Sequence, residues 1–257
     1  MNRIELLFDR KPKGILSVYF TAGYPRLEDT AAIIKTLEQK GVDMVEIGIP
    51  FSDPMADGPV IQQSSTIALN NGMTLSKLFS QLATIRESVS MPLVMMGYLN
   101  PVMQYGFDNF CRDCVSVGVD GIIIPDLPFD EYIESYKPVA ERYGLKFVML
   151  ITPETSPERI RLIDRDTDGF IYMVSTASTT GTRESFDDRT LDYFRRIEAM
   201  QLRNPRLIGF GISNRATCEV AGRNAEGVIV GSAFIKVLAQ EKTVNDAVEK
   251  LLEQLKR

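Results

Sequence analysis

Two carboxylates stand out for the chemistry their setting allows. Glu46 lies in or at the end of an apolar run, Val42-Asp43-Met44-Val45-Glu46-Ile47, and Asp57 follows in Gly48-Ile49-Pro50-Phe51-Ser52-Asp53-Pro54-Met55-Ala56-Asp57-Gly58-Pro59. A carboxyl group drawn into an apolar strand loses hydration, which raises its pKa toward neutrality and suits it to general acid–base work. Asp57 sits in a loop braced by proline and glycine, which limits the entropy lost in holding it still. The competing reading makes Glu46 a buried ion-pair partner and Asp53 and Asp57 turn residues. The loop favours chemistry, because an ordinary strand-to-helix connection needs only about 2–6 residues.

A second group of residues suits an anion. Gly209-Phe210-Gly211-Ile212-Ser213 and Val230-Gly231-Ser232-Ala233 each follow an apolar run, and the second opens a helix. Glycines let the backbone approach a phosphate, and a helix N-terminus offers N–H donors with a partial positive charge. A polar stretch between them and the preceding run, 176–189, adds Gly181 as a third contact and has the character of a lid. Taken singly, these glycines need only make turns. With no lysine or arginine evidently placed to clamp a phosphate, backbone N–H groups are expected to hold it.

The absences narrow the chemistry further. The chain has no histidine and three cysteines. Histidine nucleophile systems, histidine bases and histidine metal sites are excluded, and acid–base work falls to carboxylates, lysine, tyrosine or cysteine. The lysines lie in the N-terminal segment, in expected helices or, for Lys146, at a strand start, so none stands where a Schiff base would form. Cys111-Arg112-Asp113-Cys114 has redox or metal spacing, but lacks a second ligand pair and reads better as two cysteines packed on one helix face.

Positioning these groups requires a scaffold. Eight apolar runs recur, at 15–20, 42–47, 93–96, 119–124, 146–151, 170–174, 206–210 and 227–230, continuous rather than alternating, as in strands buried on both faces. Amphipathic stretches at 27–40, 75–88, 107–117, 132–143, 156–164, 191–200, 213–222 and 244–255 separate or follow them. Strand then helix, eight times, predicts an α/β fold, a single (β/α)8 TIM barrel spanning 1–257. Such barrels work at the C-terminal ends of their strands, where Glu46, Asp57 and the glycine loops fall. The rival, an open doubly wound sheet, usually carries a glycine-rich turn after its first strand, and Thr21-Ala22-Gly23-Tyr24-Pro25 lacks that spacing.

The 257 residues are 44% hydrophobic and 25% charged, with a net charge of −5. This is the balance of a soluble globule with no basic footprint for nucleic acid or an anionic membrane. No apolar run has the length of a membrane span, the N-terminus lacks a signal-peptide core, and three cysteines fit a reducing cytoplasm.

The block from Glu46 to Pro59 closely resembles the signature of the tryptophan synthase α subunit family. Phe20–Pro25, Tyr98–Pro101, Pro125–Pro128, Thr180–Arg183, Gly209–Ser213 and Gly231–Ala233 also look like family blocks, so the resemblance covers nearly the whole chain. It implies a carbon–carbon lyase of tryptophan biosynthesis. Indole-3-glycerol phosphate would be split by a retro-aldol reaction into indole and glyceraldehyde 3-phosphate. The family's catalytic residues fall on Glu46 and Asp57. Tyr19, Ile61, Met96 and Ile123 match positions that wall the indole. Tyr172 matches an active-site tyrosine, and Thr180, Gly181, Phe210, Gly211, Gly231 and Ser232 match the substrate and phosphate site. The resemblance also implies an α2β2 heterotetramer with a β subunit, loops at Pro50–Pro54, Asn100-Pro101 and Asp126–Pro128 facing that partner. Pyridoxal phosphate is expected only on the partner, and no cofactor or metal on this chain. Ser178 departs from a position that is glycine in many members, which bears on how the lid closes. The alternatives are another phosphate-binding barrel, such as a ring-closing enzyme or sugar-phosphate epimerase, and a barrel kept only to activate a partner. The first typically needs a strand-end lysine or metal ligands. Retention of both Glu46 and Asp57 opposes the second.

Overall fold

The computed structural model describes residues 1–175 and 186–256. Eight parallel strands, β1 (Ile15–Thr21), β2 (Met44–Gly48), β3 (Leu93–Met96), β4 (Gly121–Ile123), β5 (Lys146–Ile151), β6 (Ile171–Val174), β7 (Arg206–Gly209) and β8 (Gly227–Val230), pair in chain order and close β8 onto β1. This is the expected (β/α)8 barrel. The strands carry valine, isoleucine, leucine and methionine because both faces are buried, the lumen on one side and the helices on the other.

The helices, in chain order, are α1 (Arg3–Arg10), α2 (Asp29–Gln39), α3 (Pro59–Asn70), α4 (Leu75–Leu82), α5 (Leu99–Tyr105), α6 (Phe107–Ser116), α7 (Phe129–Glu131), α8 (Lys137–Arg142), α9 (Pro157–Asp166), α10 (Asp188–Ala199), α11 (Arg215–Asn224), α12 (Ser232–Gln240) and α13 (Val244–Lys256). A π-helical turn, Tyr132–Tyr136, joins α7 to α8. Gly41, Gly118 and Gly144 follow helices with φ of +84°, +79° and +69°, the left-handed geometry that ends a helix before its strand begins.

The structure corrects several sequence boundaries. The segment between β2 and β3 holds two helices, not one. α3 begins with Pro59, whose fixed φ and missing N–H suit a first helical position. The expected helix 75–88 stops at Leu82, and a 3-10 turn, Ile85–Glu87, follows. Helix α12 opens at Ser232 as expected, while α1, α5 and the short α7 lie outside the expected set. The stretch read as polar loop to 189 ends sooner. Asp187 caps α10, its Oδ1 accepting from Thr190 N at 2.9 Å, and Arg189 pairs from within the helix with Glu154 at 2.6 Å. Phe186 is buried edge-on against Phe194, with 5.3 Å between ring centroids.

The lumen has its own core. Ile15, Met44, Val94, Ile123, Val148, Phe170, Leu207 and Ile229 fill it. Helix α1 closes its N-terminal end by burying Ile4 and Leu7 in the same cluster. Each of those two side chains contributes about 1.5–3 kcal/mol in transfer terms. The plug is pinned by Asn2 Nδ2, which donates to Asp120 O at 2.8 Å, and by ion pairs from Arg3 to Asp120 at 3.0 Å and from Glu5 to Lys146 at 2.6 Å. The other end of the lumen faces the loops that follow the strands.

Candidate active site

Glu46 occupies an inward position near the C-terminal end of β2, paired with Tyr19 of β1 on one side and Val94 of β3 on the other. It is fully buried. The Ser17 hydroxyl donates to Oε1 at 3.1 Å, while Oε2 has no partner among the described residues. Burial pushes the carboxyl up to about 8, against the smaller downward pull of Ser17. An ion-pair role for Glu46 finds no support, since no cation pairs with it among the described residues.

Asp57 lies in the loop between β2 and α3. Gln62 Nε2 donates to its carbonyl at 2.8 Å, tying the loop to the first turn of α3. The Tyr98 hydroxyl hydrogen-bonds the Asp57 carboxylate and accepts from Ala56 N at 3.0 Å. Desolvation raises Asp57 to about 6, with Tyr98 pulling the other way. The two carboxyl groups therefore straddle neutrality: at pH 7 Glu46 is mostly protonated and Asp57 mostly ionised. Such a separation marks groups set up for different roles.

Two phenols reach over the same mouth. A Cβ added at Gly48 would fall 2.2 Å from the Tyr19 hydroxyl, and one added at Gly209 would fall 2.2 Å from the Tyr172 hydroxyl. Glycine at 48 and 209 thus makes room for each ring. Burial raises both hydroxyls, helped at Tyr19 by the charge of Asp57 and at Tyr172 by Glu46 and Asp57, so both stay neutral donors. Met96 is half-buried beside Gly48 of β2 and Ile123 of β4, and Ile123 lies deeper, fully covered. Ile61 sits on the first turn of α3 and packs with the layer between strands and helices, apart from the lumen cluster.

The glycine loops meet at the same end. Phe210 and Gly211 both have positive φ, +66° and +72°. For phenylalanine this conformation costs about 1–2 kcal/mol. It is held by the Ser175 hydroxyl, which donates to Phe210 O at 2.6 Å, and by the edge-on contact of Phe210 with Tyr172 at 6.2 Å. Gly231 starts α12, and no side chain among the described residues caps the N–H groups of Ser232 and its neighbours. The contrast with α11 is plain, for Asn214 caps that helix and accepts from Thr217 N at 2.9 Å. An anion is favoured at α12. Thr180, Gly181 and Ser178 lie outside the described residues.

Three residues at this mouth were not named as site residues from the sequence, although Tyr98 belongs to one of the family-like blocks. Tyr98 stands just past the end of β3, and the strand-end rule that selected Glu46 would have found it. Leu150 of β5 joins Met96 and Phe210 on the rim of the lumen cluster. Ser17 carries no local signal; only the pairing of β1 with β2 brings it to Glu46. The loops after β3 and β4 are joined where Leu99 N donates to Asp126 Oδ1 at 2.8 Å, and Met55, on the loop after β2, is 93% exposed. Cys111 and Cys114 are buried on α6, as their spacing suggested, and burial pushes the Cys111 thiol up to about 12. Neither a group of three or more metal-ligand side chains nor a helix long and apolar enough to cross a membrane occurs among the described residues.

Comparison with known proteins gives the same placement. The family profile described as tryptophan synthase alpha chain matches residues 8–257. The tryptophan synthase alpha chain of Parabacteroides distasonis is 62% identical over 257 residues, covering all of both chains. The crystal structure of the tryptophan synthase α subunit from Legionella pneumophila superposes with a TM-score of 0.88 at 34% identity, over 99% of this chain and 97% of that one. That of a mutant α subunit from Pyrococcus furiosus gives 0.85 at 37% identity, over 95% and 98%. The barrel, the carboxylates at its mouth and these likenesses over the full length agree: the chain belongs to the tryptophan synthase alpha chain family.

Proposed function

We propose that this chain is a carbon–carbon lyase that cleaves indole-3-glycerol phosphate to indole and glyceraldehyde 3-phosphate. The observation that carries the reading is Glu46, a buried carboxyl with one oxygen unpartnered among the described residues and raised to about 8 by burial, beside a largely apolar lumen. Carbon 3 of the indole must gain a proton before its bond to the glycerol chain breaks. Protonated Glu46 supplies it. The ring nitrogen then becomes electron-poor, and ionised Asp57 beside its N–H stabilises that charge. Glu46, now a carboxylate, takes the proton from the side-chain hydroxyl. The carbon–carbon bond breaks, its electron pair returns to the ring, and the aldehyde leaves. Glu46 ends as it began.

Tyr19, Met96 and Ile123 form the wall for the indole, with Ile61 behind, and Tyr172 offers a neutral hydroxyl at the rim. The phosphate is held by N–H groups at Phe210–Gly211 and at Gly231–Ser232, joined by Thr180 and Gly181. All the chemistry falls to this chain's own carboxylates, and no cofactor is assigned to it. Indole passes to a tryptophan synthase β subunit in an α2β2 assembly, and the pyridoxal phosphate belongs to that subunit. Exposed Met55 and the joined loops after β3 and β4 suit that contact. The unpaired cysteines fit a cytoplasmic setting.

The test is indole release from indole-3-glycerol phosphate by the isolated chain, with and without a β subunit. Release that the β subunit accelerates is expected. No indole under either condition would overturn the assignment.

A further inference from the structure

Ser17 is a polar residue in an apolar neighbourhood. It lies on β1 beside Met44 of β2 and Ile229 of β8, and is fully buried. Its hydroxyl reaches Glu46 Oε1 at 3.1 Å. A hydroxyl buried among apolar groups is unfavourable unless it is hydrogen-bonded, and the carboxyl meets that need. The bond is also one-sided, because Oε2 has no partner among the described residues.

We propose that Ser17 is a positioning residue for Glu46: its hydroxyl pins Oε1, fixes the plane of the carboxyl group and leaves Oε2 as the oxygen that carries and exchanges the proton. This rests on the reading of Glu46 as the acid–base group. In the neutral acid the carbonyl oxygen is the stronger acceptor, so the bond from Ser17 to Oε1 favours the acid hydrogen on Oε2. In the ionised form the same hydroxyl stabilises the negative charge and partly offsets the effect of burial. Ser17 thus sets both where the proton is and how readily it leaves.

The other groups facing Glu46 do not duplicate this role. Tyr19 on β1 and Tyr172 on β6 have hydroxyls held neutral by burial. Asp57, on the loop after β2, bears a like charge and is hydrogen-bonded to Tyr98, which follows β3.

The full chain can be titrated by infrared difference spectroscopy, with the Glu46 carboxyl band assigned by its loss in Glu46→Gln. In Ser17→Ala the midpoint is expected to rise by about one pH unit, the scale of one hydrogen bond to a charged group. Ser17→Cys keeps nearly the same volume with a much weaker donor and should follow alanine. Ser17→Thr keeps the donor and should stay near wild type. For indole release, kcat should fall about tenfold in the first two variants with KM nearly constant, because an imperfectly placed acid loses proton transfer rather than binding. Unchanged midpoints in both Ser17→Ala and Ser17→Cys, or a change confined to KM, would overturn the proposal. Failure of the acid–base reading itself shows separately, as wild-type turnover in Glu46→Gln.

Discussion

The two ends of the barrel use the same residue types to opposite effect. At the N-terminal end, carboxylates meet cations. Asp120 accepts from Arg3 at 3.0 Å and from Arg86 at 2.6 Å, and Glu226 is held by Arg206 and Lys13, each at 3.0 Å. Burial alone would raise Glu226, yet the bonds from Arg206 and Lys13 more than offset it and leave the group below its ordinary value. The hydrogen bond from Lys146 likewise lowers Glu5. At the C-terminal end, Glu46 and Asp57 are more strongly desolvated and, among the described residues, have hydroxyls and no cation as side-chain partners, so both are raised toward neutrality. A paired carboxylate holds elements together and gives up its proton for good. An unpaired one costs stability but exchanges protons at physiological pH. The barrel separates these uses by its length.

Substitutions can break that comparison at either end. The largest effect is expected from Glu46→Gln, which keeps the shape and removes the exchangeable proton. Because the proposed mechanism gives Glu46 both proton transfers, turnover should fall by about 10³–10⁴-fold, with circular dichroism unchanged. Next comes Asp120→Ala at the closed end. It strands the half-buried Arg86 and should cost about 3 kcal/mol in denaturant unfolding, while the folded fraction keeps its turnover. Asp57→Asn should be smaller again, about 10²-fold in kcat, since it removes charge stabilisation but no proton carrier. Near-normal turnover in Glu46→Gln, or a kcat loss in Asp120→Ala matching that of Asp57→Asn, would erase the distinction between the ends.

Much of this was legible in the sequence. The barrel followed from continuous apolar runs, and both carboxylates from strand-end position and loop composition. The missed elements have physical reasons. Helix α3 reads Pro-Val-Ile-Gln-Gln-Ser-Ser-Thr-Ile-Ala-Leu-Asn, a mixed stretch whose buried Ser64 is satisfied by hydrogen bonding, its hydroxyl donating to Ile61 O at 2.8 Å and lying 2.7 Å from that of Thr21. Helix α1 looks like an ordinary charged terminus, because only the barrel it plugs explains Ile4 and Leu7. Ser17 is invisible for a related reason. Which strand residues face each other is set by register, a property of two strands together. The values of about 8 for Glu46 and about 6 for Asp57 likewise depend on burial, trimmed by Ser17 from β1 and by Tyr98 from the loop after β3.

The dependence of kcat/KM for indole release on pH tests the central claim most directly, because it reads the ionisations of the free chain. The proposed mechanism requires Asp57 ionised and Glu46 protonated. It should therefore fall below a limb near pH 6, as Asp57 gains its proton, and above a limb near pH 8, as Glu46 loses its own. A bell with those limbs is the predicted result. A rate that stays level from pH 5 to pH 9, on an intact fold, would contradict the account.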